Sequence, residues 1–113
     1  SFVFPNPHDV FLHATPDRQL FERDIRTFSE GSVRIEDAMA LALHTLRRIP
    51  EWTEARLREE IEALRHRTLP LPEPIPVYVL YLTSWVDDDG LVHFREDVYR
   101  REQVLAEYYP AVK

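Results

Sequence analysis

Hydrophobic residues fall in short clusters along the first third of the chain, each closed by proline or by a small-residue turn. Residues 2–4 form an apolar run stopped by Pro5-Asn6-Pro7, where two prolines pre-set extended or turn geometry. Residues 10–12 predict a strand ended by the Ala14-Thr15-Pro16 turn. Residues 17–21 fit one helical turn with Leu20 and Phe21 inward. Residues 26–28 read as extended, and Ser29-Glu30-Gly31-Ser32 as a turn leading into a short strand at 33–35.

The period then changes from two to about three and a half. A helix is predicted from Glu36 or Asp37 to Arg48, with acids at its start, Arg47 and Arg48 at its end, and Pro50 as its stop. A second helix follows, with Thr53 as N-cap, a Trp52–Leu57 staple, and Leu57, Ile61 and Leu64 on its apolar face. The alternating prolines of residues 69–76 predict an extended connector lying against the domain. Residues 77–85, nearly all β-branched or aromatic, are the strongest strand signal. The Asp-Gly turn ending at Gly90 should return them through residues 91–94, and residues 97–109 predict a last helix. The expected class is α+β: a mixed β-sheet with packed helices, in which the hairpin joins the sheet carrying residues 10–13.

Composition narrows the function. The 113 residues make one domain or less, with 44% hydrophobic content and enough aromatics for a modest core. A net charge of −6 argues against nucleic acid as a partner, because such binders carry a basic face. Without cysteine there is no disulfide, thiolate zinc site or thiol nucleophile. No apolar run approaches the ~18 residues of a membrane span. His8, His44, His66 and His93 show no ligand spacing, so no metal and no cofactor are expected. The Asp87–Asp89 run lacks the calcium-loop pattern and reads as a hairpin turn.

The motif order in "FPNPHDVFLHATPDRQLFERDIRTFSEGSVRIEDAMALA" resembles the core of the YkuD-type L,D-transpeptidase domain, in particular its YcbB-like branch. That branch has a similar Phe-Pro-Asn run, a Leu-His-x-Thr-Pro segment, a Leu-Phe pair and a Ser-[His/Ser]-Gly-Cys-Val-Arg-Val turn. "PVYVLYLTSWVDDDGLVHFREDVY" is similar to its C-terminal hairpin. The resemblance makes residues 1–113 a single, partial catalytic domain, with 69–76 a connector inside it and the β-rich N-terminal part of the family domain lying outside this chain. The strands so left out are expected to be replaced by a partner chain, a second copy of this chain, or the rest of a precursor.

What the resemblance implies chemically is acyl transfer through an acyl-enzyme, cross-linking peptidoglycan stem peptides in the periplasm or cell envelope, with carbapenem β-lactams as inhibitors. His13 falls on the general base, and Ser32, nineteen positions on, falls on the nucleophile. Gly31 and Ser32 fall on the oxyanion turn, where glycine would permit close approach and unusual dihedrals. Arg34 and Glu30 fall on substrate-facing positions; an Arg34 ion pair with Glu36 or Asp37 is the alternative. Three departures from the pattern stand out: Ser32 replaces cysteine, Glu30 replaces histidine or serine, and Ala14 replaces aspartate. A thiol is readily held as thiolate beside histidine, whereas an alcohol must lose its proton during attack. The resemblance therefore implies a catalytically impaired transpeptidase. The other readings are a non-catalytic peptidoglycan-binding relative, and a serine hydrolase using Ser32 and His13, with Glu30 as a third member.

Overall fold

A computed structural model describes residues 1–108, which form a mixed α/β arrangement of four short strands and three helices. The chain divides into two compact units, Ser1–Ile75 and Pro76–Lys113. No helix among the described residues is long and apolar enough to cross a membrane.

The first unit is built on a parallel pair. Strand β1 (Leu12–Ala14) lies beside β2 (Val33–Ile35) in the register Leu12↔Val33, His13↔Arg34, Ala14↔Ile35. Parallel neighbours need a long crossover, and residues 15–32 supply it through a 3-10 turn at Arg18–Glu22. Leu20 and Phe21 are half-buried there, as the pattern predicts. A single antiparallel bridge, Phe2↔Leu12, flanks β1 on its other side, with Phe2 N–H donating to Leu12 O at 2.8 Å.

The first strand starts two residues later than its apolar pattern suggests, and Asn6 is the reason. Its Nδ2 donates to Val10 O (2.9 Å) and Phe4 O (3.2 Å), while its Oδ1 accepts from Val10 N (2.9 Å) and His8 N (3.1 Å). Both backbone groups of Val10 are therefore committed to a side chain and are not free for a ladder. Asp9 at φ 52° completes the tight loop; aspartate tolerates that region better than most residues.

Helix α1 (Ala38–Thr45) begins where its cap residue dictates, with Asp37 accepting from Ala40 N at 2.8 Å. It ends three residues before Arg48, in tightened turns that bring Ile49 N–H to Leu46 O at 2.9 Å. Pro50 disfavours helical geometry at the residue before it. Helix α2 (Glu54–Glu62) is capped by Thr53, whose Oγ1 accepts from Arg56 N at 3.3 Å. Leu46 and Leu57 are the buried hydrophobic residues among those described, at 5% and 9% exposure. The expected apolar face of α2 is used only at Leu57. Ile61 is 59% exposed, and Leu64, past the helix end at φ 50°, is 83% exposed. Trp52 is half-buried, with the Arg56 and Arg67 guanidinium carbons 4.9 and 5.9 Å from its ring centroid. In the connector Leu69 and Leu71 are half-buried, and Glu73 pairs with Arg48 at 2.5 Å.

The second unit holds the hairpin. Strands β3 (Ser84–Val86) and β4 (Val92–Phe94) pair antiparallel, with Trp85 opposite His93. Asp87 N–H donates to Leu91 O (2.9 Å) and Gly90 N–H to Asp87 O (3.0 Å). Gly90 sits at φ 80°, a left-handed position that glycine occupies without a Cβ penalty. Asp87 also accepts from Asp89 and Leu91 N–H at 2.9 Å each and meets His93 Nε2 at 2.7 Å, while the His93 ring stacks on Trp85 at 5.2 Å. Trp85 thus belongs to a cross-strand stack capped by Arg95, 5.1 Å above its ring.

One expectation about this unit is corrected. The strand predicted over 77–85 forms a ladder only from Ser84, where β3 pairs with β4 in a two-stranded sheet. Residues 77–82 join neither ladder, and Tyr78 and Leu80 are 81% and 73% exposed. A β-branched run records a preference for a pleated, half-buried surface, not a partner; no described residue supplies one. Helix α3 is Arg101–Tyr108, later than the predicted start at 97, and position 109 lies outside the described residues. Asp97 is its cap, accepting from Arg101 N (3.0 Å) and Glu102 N (2.7 Å). The Tyr81 hydroxyl also donates to Asp97, which holds that carboxyl below its ordinary value.

Leu46→Ala should cost about 2–5 kcal/mol by opening a cavity, and Thr53→Ala about 1 kcal/mol by removing a cap. Ile61→Ala should stay within about 0.5 kcal/mol despite its place in the apolar pattern. Denaturant midpoints of the three variants check the ranking.

His93, donating to Asp87, holds the Asp87 carboxyl below its ordinary value of 3.8, with the Leu91 N–H adding to it. A lowered folded-state value contributes stability that is complete above 3.8 and lost as pH falls through the folded value. Asp87→Asn should therefore be less stable than the parent near neutrality and should flatten the acid limb below about pH 4. Denaturant titrations at stepped pH measure both, and parallel acid limbs would contradict the assignment.

Candidate active site

The β1–β2 ribbon has two chemically different sides. Side chains alternate along a strand, so Leu12, Ala14, Val33 and Ile35 share one side, and His13 and Arg34 stand directly opposite each other on the other. Ser32 immediately precedes β2, and the next N–H, that of Val33, donates to Phe11 O at 3.0 Å. Ser32 is half-buried, whereas Arg34 is exposed.

His13 meets Arg34 across the ladder. Nδ1 lies 3.1 Å from Ala14 O, and Arg34 Nη1 lies 2.8 Å from Nε2 and 2.6 Å from Nδ1. With Nδ1 protonated, Nδ1–H donates to Ala14 O. An atom so close to both ring nitrogens lies off both in-plane lone-pair directions, so the guanidinium contacts the imidazole without hydrogen-bonding a lone pair. No hydrogen bond joins His13 to Ser32 among the described residues.

The turn before β2 is closed by Ser29, whose Oγ donates to Ser32 O. Gly31 departs from expectation: its φ is not positive, and an added Cβ would meet no atom within 4 Å. Neither close approach nor an unusual dihedral requires glycine there in this arrangement. Glu30 is exposed and is not among the hydrogen-bond partners of His13. The alternative ion pairs of Arg34 are not made among the described residues, because Asp37 is committed to capping α1 and Arg34 turns to His13 instead. No group of three or more His, Asp or Glu side chains among the described residues is placed to hold a metal ion.

Pattern reading missed two contributors. Asn6 fixes the approach to β1, and its only signal was its place between two prolines. Ser29 ties the turn, three positions before the residue whose carbonyl it holds, which is a recognisable side-chain-to-backbone spacing.

No protein-family model matches the chain. Over 99 residues, 88% of its length, it is 33% identical to a Haemophilus influenzae protein named "Putative L,D-transpeptidase". The chain spans about a fifth of that relative's length. The likeness supports the L,D-transpeptidase family for this chain.

Proposed function

We propose that the chain is the C-terminal part of an L,D-transpeptidase catalytic domain of the YcbB-like branch, acting on peptidoglycan stem peptides in the cell envelope, with its acyl-transfer chemistry impaired at Ser32. The observation that carries this reading is the likeness over 99 residues, taken with a strand register that sets His13 beside the segment following Ser32. Acyl transfer needs a nucleophile, a base within hydrogen-bond reach and N–H donors for the oxyanion. Position 32 is the nucleophile in this reading, His13 the base, and the backbone near Gly31 and Ser32 the oxyanion donors. Arg34 and Glu30 face the substrate.

Serine at position 32 is the weak link. With a thiol there, His13 would take its proton and the thiolate would attack the carbonyl, giving a thioester that an amine resolves. With an alcohol the proton must leave during attack, and a serine enzyme orients its histidine with a carboxylate for that purpose. Glu30 is not bonded to His13, which disfavours the serine-hydrolase reading. A non-catalytic stem-peptide binder is the second reading, favoured by the lack of a hydrogen bond between His13 and Ser32 among the described residues.

Intact-mass spectrometry with a carbapenem tests the assignment. The parent chain should form no rapid adduct, and Ser32→Cys should acylate at position 32. Adding His13→Ala to Ser32→Cys should slow acylation by about 10²–10⁴-fold, the usual contribution of a general base. Rapid acylation of the parent at Ser32 would overturn the impaired reading in favour of a serine enzyme. An inert Ser32→Cys variant would leave the non-catalytic binder.

A further inference from the structure

We infer that residues 77–82 pair with the same segment of a second copy of this chain, antiparallel and centred on Leu80. The segment leads directly into the hairpin. Its boundary is the bond from Arg95 N–H to Thr83 O at 2.7 Å, and upstream of it residues 77–82 make no hydrogen bond to another backbone group among the described residues. All six side chains are aliphatic or aromatic, and all six are exposed. Consecutive open N–H and C=O groups under such side chains are what an edge strand offers to another chain.

The unit that carries the segment lacks burial of its own. Leu46 and Leu57, the buried hydrophobic residues among those described, both lie in the first unit. An isolated two-stranded hairpin is marginal in water, and three or more strands with a hydrophobic face are needed for stability. Two copies joined through 77–82 make four strands, β4 and β3 of one followed by β3 and β4 of the other.

The segment is suited to its own copy. No charged residue occurs between Val77 and Val86, so antiparallel self-pairing sets no like charges opposite each other. A two-fold axis perpendicular to the sheet keeps every side chain on its own face, so opposed positions differ by an even number. An axis at Leu80 sets it against the partner's Leu80, and Tyr78 against the partner's Leu82. Tyr81 is held within its own chain: its hydroxyl donates to Asp97 and accepts from Tyr99 N at 3.3 Å, and its ring lies 5.1 Å from that of Tyr99. Those contacts occupy the hairpin side of the segment and leave the opposite edge to the partner. Such a pairing is isologous and closes at two copies, and the net charge of −6 on each opposes further association.

The chain has no cysteine, so Leu80→Cys introduces a single thiol. Opposed Cα atoms in an antiparallel pair lie about 4.5–5.5 Å apart, within the span of a disulfide. Diamide should therefore convert Leu80→Cys rapidly to a covalent dimer, two thiols giving up two electrons and two protons to the reagent as one S–S bond forms. Val79→Cys, displaced from its own copy by two residues, and Leu64→Cys, exposed in the first unit, should cross-link at least about tenfold more slowly, because neither meets itself across the axis. Light scattering on the parent should give twice the mass of one chain at high concentration. Leu80→Lys should raise the dissociation constant at least about tenfold, since two leucines leave and two ammonium groups meet. A parent that stays monomeric, a dimer indifferent to Leu80→Lys, or Leu64→Cys cross-linking as fast as Leu80→Cys would each overturn the pairing. Assemblies that keep growing past two copies would overturn its closed, two-fold form.

Discussion

The parallel hydrogen-bonded register between Leu12–Ala14 and Val33–Ile35 is the constraint on which the candidate site depends. Those two segments are separated by the crossover at 15–32, and only the ladder brings them together. A slip of one residue would turn His13 away from Arg34 and exchange the polar side of the ribbon for the apolar one. Several local devices hold the register from outside the strands. Asn6 consumes the backbone groups of Val10 and so sets where β1 can begin. Ser29 fastens the turn at Ser32 O, and the Asp37 cap starts α1 two residues after β2 ends.

Features carried by one residue acting on its near neighbours were legible in the sequence. The cap at Thr53, the acidic start of α1, the 3-10 turn after Pro16 and the left-handed Gly90 all follow from side-chain chemistry within a few positions. Features that need a partner distant in sequence were not. The β-branched run at 77–82 has strand propensity on both sides, yet propensity does not supply the neighbour that would exchange N–H and C=O groups with it. The apolar spacing of Leu57, Ile61 and Leu64 likewise marks a face without saying how far along it another element will pack. Motif order singled out His13, Ser32 and Arg34, but it did not reveal the Arg34–His13 contact. It exists only because the ladder puts those two residues opposite each other.

The impairment proposed for the chain rests on the chemistry of position 32, an alcohol where a thiolate would react readily. His13 contacts Arg34, and no hydrogen bond joins it to Ser32 among the described residues. Gly31, unstrained and uncrowded, contributes little to the turn in this arrangement.

The central claim is the register that pairs His13 with Arg34. Nuclear Overhauser effects from the His13 ring protons in the isotopically labelled chain test it most directly. The account predicts cross-peaks from the ring to the Arg34 side chain and from Leu12 to Val33, with a slowly exchanging Val33 amide. A His13 ring with no contact to Arg34, together with a Val33 amide that exchanges at the rate of an open loop, would contradict it.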